Sequence, residues 1–511
     1  MPAIVLATQN AKWIHASFGL RYLRANLAEL RDDSVILEFE ISQRPADVAE
    51  SILAQSPRIV GLGVYIWNAG PALQLARILK RVRPELCLVV GGPEVSYETE
   101  LQEVCAVADH VVRGEADLAF ADLCRRVLAG EHALPHVVDA PLPHFEQLAP
   151  PYAEYGQTDI DHRVVYVESS RGCPFTCEFC LSSLDIPVRK APLEPFLAQM
   201  DTLLQRGVRH FKFVDRTFNL GIETAAAILR FFRERWRAGM FLHFELIPDR
   251  LPERLREQIA AFPPGALQFE VGVQTLDDAT SERISRRQDV QKLEENLRWL
   301  RTATGAHVHA DLIVGLPGED EATFARGFDR LWAMGPQEIQ VGVLKRLRGT
   351  PIVRHDAEHG MVWADEAPYE VLQTRAVPFA AMQGMKRFAR YWDVVANSGN
   401  WTATLPLLLA GPSAYGSFLA FAEWLHATTH ATAGIALHRL AGCLWSWLVE
   451  HRGNAQAAVG VLMAADYARC ARHDWPEFLR SFVQARGADA VRVAAIGAER
   501  QLRHRAAPPQ S

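Results

Sequence analysis

Short apolar runs separated by amphipathic segments recur twice along this chain, and that pattern leaves few folds open to it. The first set is AIVLA (3–7), VILEFEI (35–41), IVGLGVY (59–65), LVVGG (88–92) and HVVRG (110–114). Between the runs lie segments of helical period, such as ALQLARILKRV. Strand and helix alternating in this way predict a doubly wound parallel α/β sheet of Rossmann-like type over residues 1–138. Ligands of such sheets bind outside the carboxyl ends of the strands. The loops there read TQNAKWIH, YIWNAGP, GGPEVSYE and GEAD, a mixture of Gly, polar and aromatic residues. Residues 139–158 hold four prolines and no periodicity, and are expected to be a linker. The alternation then resumes over 159–350, with strands expected at 163–170, 210–218, 241–248, 267–274, 307–317 and 338–345. Six such units suggest a partial or full parallel (β/α) barrel, whose active site would lie at the C-terminal ends of the strands.

From 351 to 511 strand signals vanish, and the Ala- and Leu-rich sequence reads as a helical domain. Seven of the twelve tryptophans fall here and are expected to form its core. The apolar stretch 404–425 is interrupted by Gly, Pro and Ser and carries Glu423, so it reads as a buried helical hairpin and not a membrane span. The last residues, 500–511, read as a frayed tail. A length of 511 residues fits about three domains. With 49% hydrophobic and 22% charged residues, disorder is excluded as an overall description. A net charge of −6 argues against a nucleic-acid-coating surface. Eight cysteines are too few for a secreted disulfide framework, and no signal segment is visible, so a cytoplasmic location is expected.

The positions of the cysteines matter more than their number. Cys173, Cys177 and Cys180 lie within RGCPFTCEFC (171–180), directly after the first strand of the second set. Three thiolates on one short loop can bind three irons of a [4Fe–4S] cluster, for which four cysteines are usual. With no fourth cysteine nearby, one iron stays open to a substrate or cosubstrate. A zinc site would want four ligands, and no His or Cys follows at finger spacing. Three buried structural cysteines are the remaining alternative.

The loop resembles the hallmark of the radical S-adenosylmethionine (radical SAM) superfamily, CxxxCxxC with an aromatic residue before the last cysteine, here Phe179. The resemblance implies that the cluster binds and reductively cleaves S-adenosylmethionine (SAM). EVGVQTLDDATSERISRRQD (270–289) is similar to the fourth-strand region of the coproporphyrinogen dehydrogenase and methylthiotransferase branch, and points to Glu270, Gln274 and Arg286 near SAM. HADLIVGLPGED (309–320) looks like the fifth-strand motif, in which Gly315 lets backbone approach the adenine. The usual Gly-Gly-Glu after the second strand is missing; VDRTFN stands there, and Asp215 takes the place of the Glu that holds the SAM amino group.

GGPEVS (91–96) and VVRGEAD (111–117) resemble the cobalamin-binding domain found ahead of many radical SAM barrels. That resemblance implies room for the corrin at Gly91, Gly92 and Gly114, polar contacts from Glu94, Ser96 and Glu115, and aromatic faces from Tyr65 and Trp67. The Asp-x-His-x-x-Gly motif whose His ligates cobalt is absent, since Trp13 stands two before His15. The segment 344–374 is similar to the join between barrel and helical domain in a bacterial subfamily of cobalamin-binding radical SAM proteins. The resemblance therefore implies an enzyme with a [4Fe–4S] cluster, SAM and cobalamin. Its expected activity is methyl transfer to an unactivated carbon or to phosphorus on a small molecule or peptide. Its electron donor would be a flavodoxin or ferredoxin. A rearrangement or cyclisation with the same cofactors, and a cobalamin- or redox-responsive binding module, stay open as alternatives. No membrane or nucleic-acid partner is expected.

Overall fold

The computed structural model describes residues 1–185, 187–470, 474–482 and 499–505. It divides into two compact units. The first holds residues 1–216 together with 345–353 and 364–370; the second holds 217–344, 354–363 and 371–511.

The first unit opens with six parallel strands: β1 (Ile4–Asn10), β2 (Ser34–Glu40), β3 (Ile59–Gly63), β4 (Cys87–Gly91), β5 (His110–Arg113) and β6 (Val137–Asp139). Their order is β2-β1-β3-β4-β5-β6, so the winding reverses between β1 and β3. Five helices flank them: α1 (Phe18–Ala25), α2 (Pro45–Leu53), α3 (Ala69–Val82), α4 (Glu103–Val107) and α5 (Ala119–Leu128). Strand alternation sorts the core onto two faces. Val5, Ala7, Val60 and Leu62 pack with Ile52, Leu75, Leu79 and Val104 of α2, α3 and α4. Ile4, Leu6 and Ile59 pack with Leu20 of α1 and Phe120 and Leu123 of α5. A fully buried Leu, Ile or Phe contributes about 1.5–3 kcal/mol, so both faces hold their helices firmly.

The proline-rich connector is built into this unit. Buried Tyr152 and Tyr155 hydrogen-bond the backbone of Glu168 (3.2 Å) and Tyr166 (2.9 Å), and Asn26, just past the end of α1, pairs with the backbone of Ala149. Helix α6 (Gln157–His162) closes the connector. Strand β7 (Val165–Val167) follows, then β8 (Ser170–Arg171) and β9 (Arg189–Lys190), helix α7 (Leu193–Gln205) and β10 (His210–Phe213). Strands β7 and β10 pair in parallel, while β8 and β9 pair antiparallel as a two-stranded base beneath the cysteine loop.

The second unit carries β11 (Phe241–Leu246), β12 (Leu267–Gln274), β13 (His307–Val314) and β14 (Glu338–Val343), parallel and paired in chain order. Helix α8 (Ile222–Glu234) precedes β11. The crossovers hold α9 (Glu253–Ala260), then α10 (Asp278–Arg283) and α11 (Val290–Ala303), then α12 (Glu321–Met334). Asp320 starts α12 by accepting the Thr323 N–H at 2.8 Å, and Gly335 ends it in the left-handed region. Helix α13 (Asp356–His359) leads to a small antiparallel pair, β15 (Val362–Trp363) with β16 (Val371–Gln373), which corrects the expectation that strands end near 351. Helices α14 (Phe379–Val395), α15 (Leu405–Leu409), α16 (Ala414–Thr429), α17 (Leu437–Trp445) and α18 (Gln456–Arg469) follow. The hairpin expected at 404–425 is α15 and α16. Phe328, Trp392 and Phe418 pack edge to face at 4.8–4.9 Å, so aromatic quadrupoles hold α14 and α16 against α12.

Part of the expected frayed tail is a helix, α19 (Glu499–Arg505); residues 506–511 lie outside the described residues. Arg500 pairs with Glu338 (3.1 Å) and Asp393 (3.0 Å), Gln501 donates to Gln268 (2.6 Å), and His504 meets the Asn397 carbonyl at 2.9 Å. These partners lie more than a hundred residues earlier in the chain, which is why a local reading sees only a charged end. Among the described residues no helix is long and apolar enough to cross a membrane.

Candidate functional site

In the first unit the cysteine loop rises from its β8–β9 base. The Cys173 N–H donates to Asp185 O (3.0 Å), the Cys180 N–H to Cys177 O (3.1 Å), and the Ile352 N–H to Glu178 O (3.0 Å). All three cysteines are free thiols; Cys173 and Cys177 are buried and Cys180 half-buried. Burial pushes the Cys173 thiol up, and the neighbouring Cys180 and Cys177 push it further. The fold thus gathers the three sulfurs. Among the described residues no His, Cys, Asp and Glu side chains close on one point as a single metal ion would need. A cluster spreads its thiolates over separate irons, so the donor set fits a cluster better than zinc.

Asp215 follows β10 and is 0% exposed. It accepts from the Ser169 N–H (2.9 Å) and from the hydroxyls of Ser169 and Ser170 (both 2.6 Å). Burial raises its carboxyl above the ordinary range, and these three donors oppose the rise. In this structure Asp215 fastens the segment that runs from β7 into the cysteine loop. Beside it lies Glu168, a carboxyl that no motif singles out. Burial lifts the Glu168 carboxyl to about 7, against the pull of Arg171, whose Nε lies 2.9 Å away.

The carboxyl edge of the six-stranded sheet holds the second cluster of expected residues. Tyr65 and Trp67 stack at 4.5 Å and 6°, and Trp67 remains 46% exposed, an open aromatic face at the winding reversal. Asn68 donates to Thr8 Oγ1, Gln9 O and Gly63 O, all at 3.1 Å, and fixes this corner. Gln9 is fully buried, yet neither its Nε2 nor its Oε1 has a partner. An unpaired buried amide here is a polar group that a ligand at this edge would satisfy. Gly92 has φ +115°, and a Cβ on it would stand 2.5 Å from Val64 O. Any side chain at this turn would strain the backbone and crowd the edge. Ser96 donates to Gly92 O (2.9 Å) and accepts the Gly114 N–H (3.1 Å), tying the Gly91–Gly92 loop to Gly114. Corrin amides and a broad apolar ring fit such an edge.

Glu94 and Glu115 were expected to make polar contacts to the ligand. The structure gives both protein partners: Glu94 accepts from Arg348 and Tyr369, and Glu115 from Arg171 and Arg189. His15 has its Nδ1 2.7 Å from the Tyr166 hydroxyl.

In the second unit Glu270 and Gln274 share one face of β12, and Glu270 meets His243 at 2.9 Å. Arg286 donates to Gly272 O, and Gln274 folds over the same glycine, so these two side chains converge. Gly315 serves packing: a Cβ there would stand 2.5 Å from Val371 Cγ1 and 3.1 Å from Met382 Cε. The space a side chain would take there is filled by residues of the helical domain. Glu319 in the same motif is buried, takes the Thr275 hydroxyl at 2.5 Å and leaves Oε2 without a partner. Burial lifts its carboxyl to about 8. Phe179 lies in the cysteine loop itself, beside Cys180.

Comparison with known proteins agrees with this arrangement. Residues 4–124 match the family described as B12 binding domain, and residues 167–331 match the Radical SAM superfamily. The chain carries a B12 binding domain followed by a Radical SAM domain. Residues 357–498 match a protein of unknown function (DUF4080). The chain is 28% identical over 236 residues to an uncharacterized methyltransferase, PH0819, of Pyrococcus horikoshii, covering 41% of this chain and 50% of the relative. It spans about half the length of the curated relatives it matches. Its fold is that of the radical S-adenosylmethionine methyltransferase TsrM from Kitasatospora setae (TM-score 0.57, 18% identity, 71% of this chain and 79% of that one). It is likewise that of the cobalamin-dependent S-adenosylmethionine radical enzyme OxsB (TM-score 0.59, 13% identity, 92% and 76%).

Proposed function

We propose that the chain is a cobalamin-dependent radical SAM enzyme that transfers a methyl group to an unactivated carbon or phosphorus centre of a small molecule or peptide. The observation that carries this reading is the presence, within one compact unit, of a three-thiol loop and a glycine-cut sheet edge with an orphaned amide. Cys173, Cys177 and Cys180 would hold a [4Fe–4S] cluster with one iron left open for SAM. Tyr65, Trp67, Gln9 and the backbone at Gly91, Gly92 and Gly114 would hold cobalamin. These groups supply an electron for cleaving the sulfonium and a carrier for the methyl group; the protein supplies position and exclusion of water. Glu270, Gln274 and Arg286 are proposed to orient SAM, and a flavodoxin or ferredoxin to deliver the electron. The relatives that are methyltransferases support methyl transfer over the other chemistry these cofactors serve.

The test is anaerobic reconstitution with iron, sulfide and hydroxocobalamin, followed by dithionite and SAM labelled in the methyl group. Label recovered in the cobalamin fraction together with 5′-deoxyadenosine supports the proposal. Deoxyadenosine with no label on cobalamin would favour a non-methylating rearrangement. Neither product, with cobalamin still bound, would make the protein a binding module.

A further inference from the structure

The loops that leave β4 and β5 carry four carboxylates, and each is held by an arginine. Glu94 accepts from Arg348 Nε (2.9 Å) and the Tyr369 hydroxyl (2.7 Å). Glu98 accepts from Arg346 Nη1 and Nη2 and from Arg348 Nη1, all at 3.1 Å. Glu115 accepts from Arg171 Nη1 (2.8 Å) and from Arg189, and Asp117 from Arg171 Nη1 at 2.9 Å. The arginines come from two places. Arg171 and Arg189 face each other across β8–β9, the base of the cysteine loop. Arg346 and Arg348 lie in 345–353, a stretch that belongs to the first unit although it follows β14 in sequence.

That stretch touches both ends of the site. Gly349 lies against the Tyr97 ring so closely that a Cβ would overlap it. Three residues on, the Ile352 N–H reaches Glu178 O inside the cysteine loop. Residues 345–353 therefore form a strap from the glycine-rich sheet edge to the thiol loop. A single contact between two loops leaves rotation free. Two separated anchors, each built on the rigid guanidinium fork, remove it. Side-chain exposure is 13% for Arg171 and 16% for Arg348, so salt screens these pairs little.

We propose that the strap 345–353 and the Arg171–Arg189 base fix the separation and orientation of the two cofactors, with Arg171 and Arg348 as positioning residues. The inference rests on the functional reading above, since it needs cobalamin at the sheet edge and a cluster in the loop. Its test reads geometry and not turnover. The full chain is loaded with cluster and cob(II)alamin, reduced, and examined by electron paramagnetic resonance for the magnetic interaction between the two centres. The wild type is expected to give one resolved splitting. R171M and R348M, still binding both cofactors, are expected to lose that resolution. R348K, which keeps the charge and loses the fork, is expected to be broadened. Should R171M or R348M fail to fold, R171K and R348K are read in their place. A wild-type splitting in the folded, doubly loaded variants would overturn the inference alone. A wild-type protein that does not hold both cofactors would sink the functional reading and this inference with it.

Discussion

Glu168→Gln isolates a buried carboxyl beside the cysteine loop whose charge state should change near neutrality. In the folded protein its proton is held up to a pH of about 7, because burial penalises the anion more than Arg171, 2.9 Å away, rewards it. In the unfolded chain the group titrates near its ordinary 4.5. A raised acid contributes stability that is complete below 4.5 and is lost as pH climbs to about 7, because over that window the folded state binds the extra proton. At about 1.4 kcal/mol for each pH unit, the window amounts to about 3 kcal/mol. Gln copies the neutral acid: its carbonyl still accepts from Arg171, which keeps Glu115 and Asp117. The stability of E168Q relative to wild type should therefore rise by about 3 kcal/mol between about pH 4.5 and pH 8, with most of the gain made before pH 7. The assay is hydrogen-exchange protection of the peptide covering Val165–Arg171 in the apo protein, corrected for the intrinsic pH dependence of exchange. A constant difference between the two proteins across that range would refute the account of Glu168.

Three further outcomes are expected. Cys177→Ala should abolish the iron–sulfur absorbance after reconstitution while leaving the circular dichroism of the apo protein unchanged, since the loop is held by backbone bonds. Gly92→Ala forces a Cβ against Val64 O at φ +115° and should cost about 1–3 kcal/mol, read as a lower midpoint in thermal unfolding. Glu338→Gln leaves His307, His309 and Arg500 facing a neutral amide, with Arg500 keeping Asp393, and should cost about 1–3 kcal/mol. Burial alone would raise the Glu338 carboxyl, but His307 and His309 hold it far below the ordinary range. Its contribution is therefore present above about pH 4.5 and lost on acidification, and exchange at β14 should show that loss in the wild type and not in E338Q.

What the sequence displayed of the fold was what depends on local period. Strand β12 begins and ends where the run LQFEVGVQ does, and from Phe269 onward buried residues (Phe269, Val271, Val273) alternate with half-buried ones as a strand demands. The cysteine loop was legible for a similar reason: its spacing is local and its chemistry rare. Other features depend on partners far along the chain, and those the sequence hid. Arg348 finds Glu94 across 254 residues and Arg500 finds Glu338 across 162, so neither arginine looks different from a solvated one. Gln9 could have been suspected, because a glutamine at the carboxyl end of an otherwise apolar strand must satisfy an amide somewhere. The β15–β16 pair is only two and three residues long, too short for any period to show.

The arginine partners of Glu94 and Glu115 bear on how the sheet edge would recognise cobalamin. Acidic residues in loops at strand ends look like ligand contacts because such loops face the ligand. Here their charge is already neutralised by arginines of the same unit, so a corrin arriving at the edge meets loops that have lost their freedom beforehand. Ordering a loop residue costs about 1–2 kcal/mol of backbone entropy, and an edge ordered in advance spares the cofactor that cost. Contact would then be left to the unpaired Gln9 amide and the exposed face of Trp67. If the carboxylates were the contacts, neutralising one would weaken cobalamin binding more than removing the arginine that holds it. If they are clamps, E94Q and R348M should weaken binding alike, and Gln9→Ala should weaken it without disturbing the clamp.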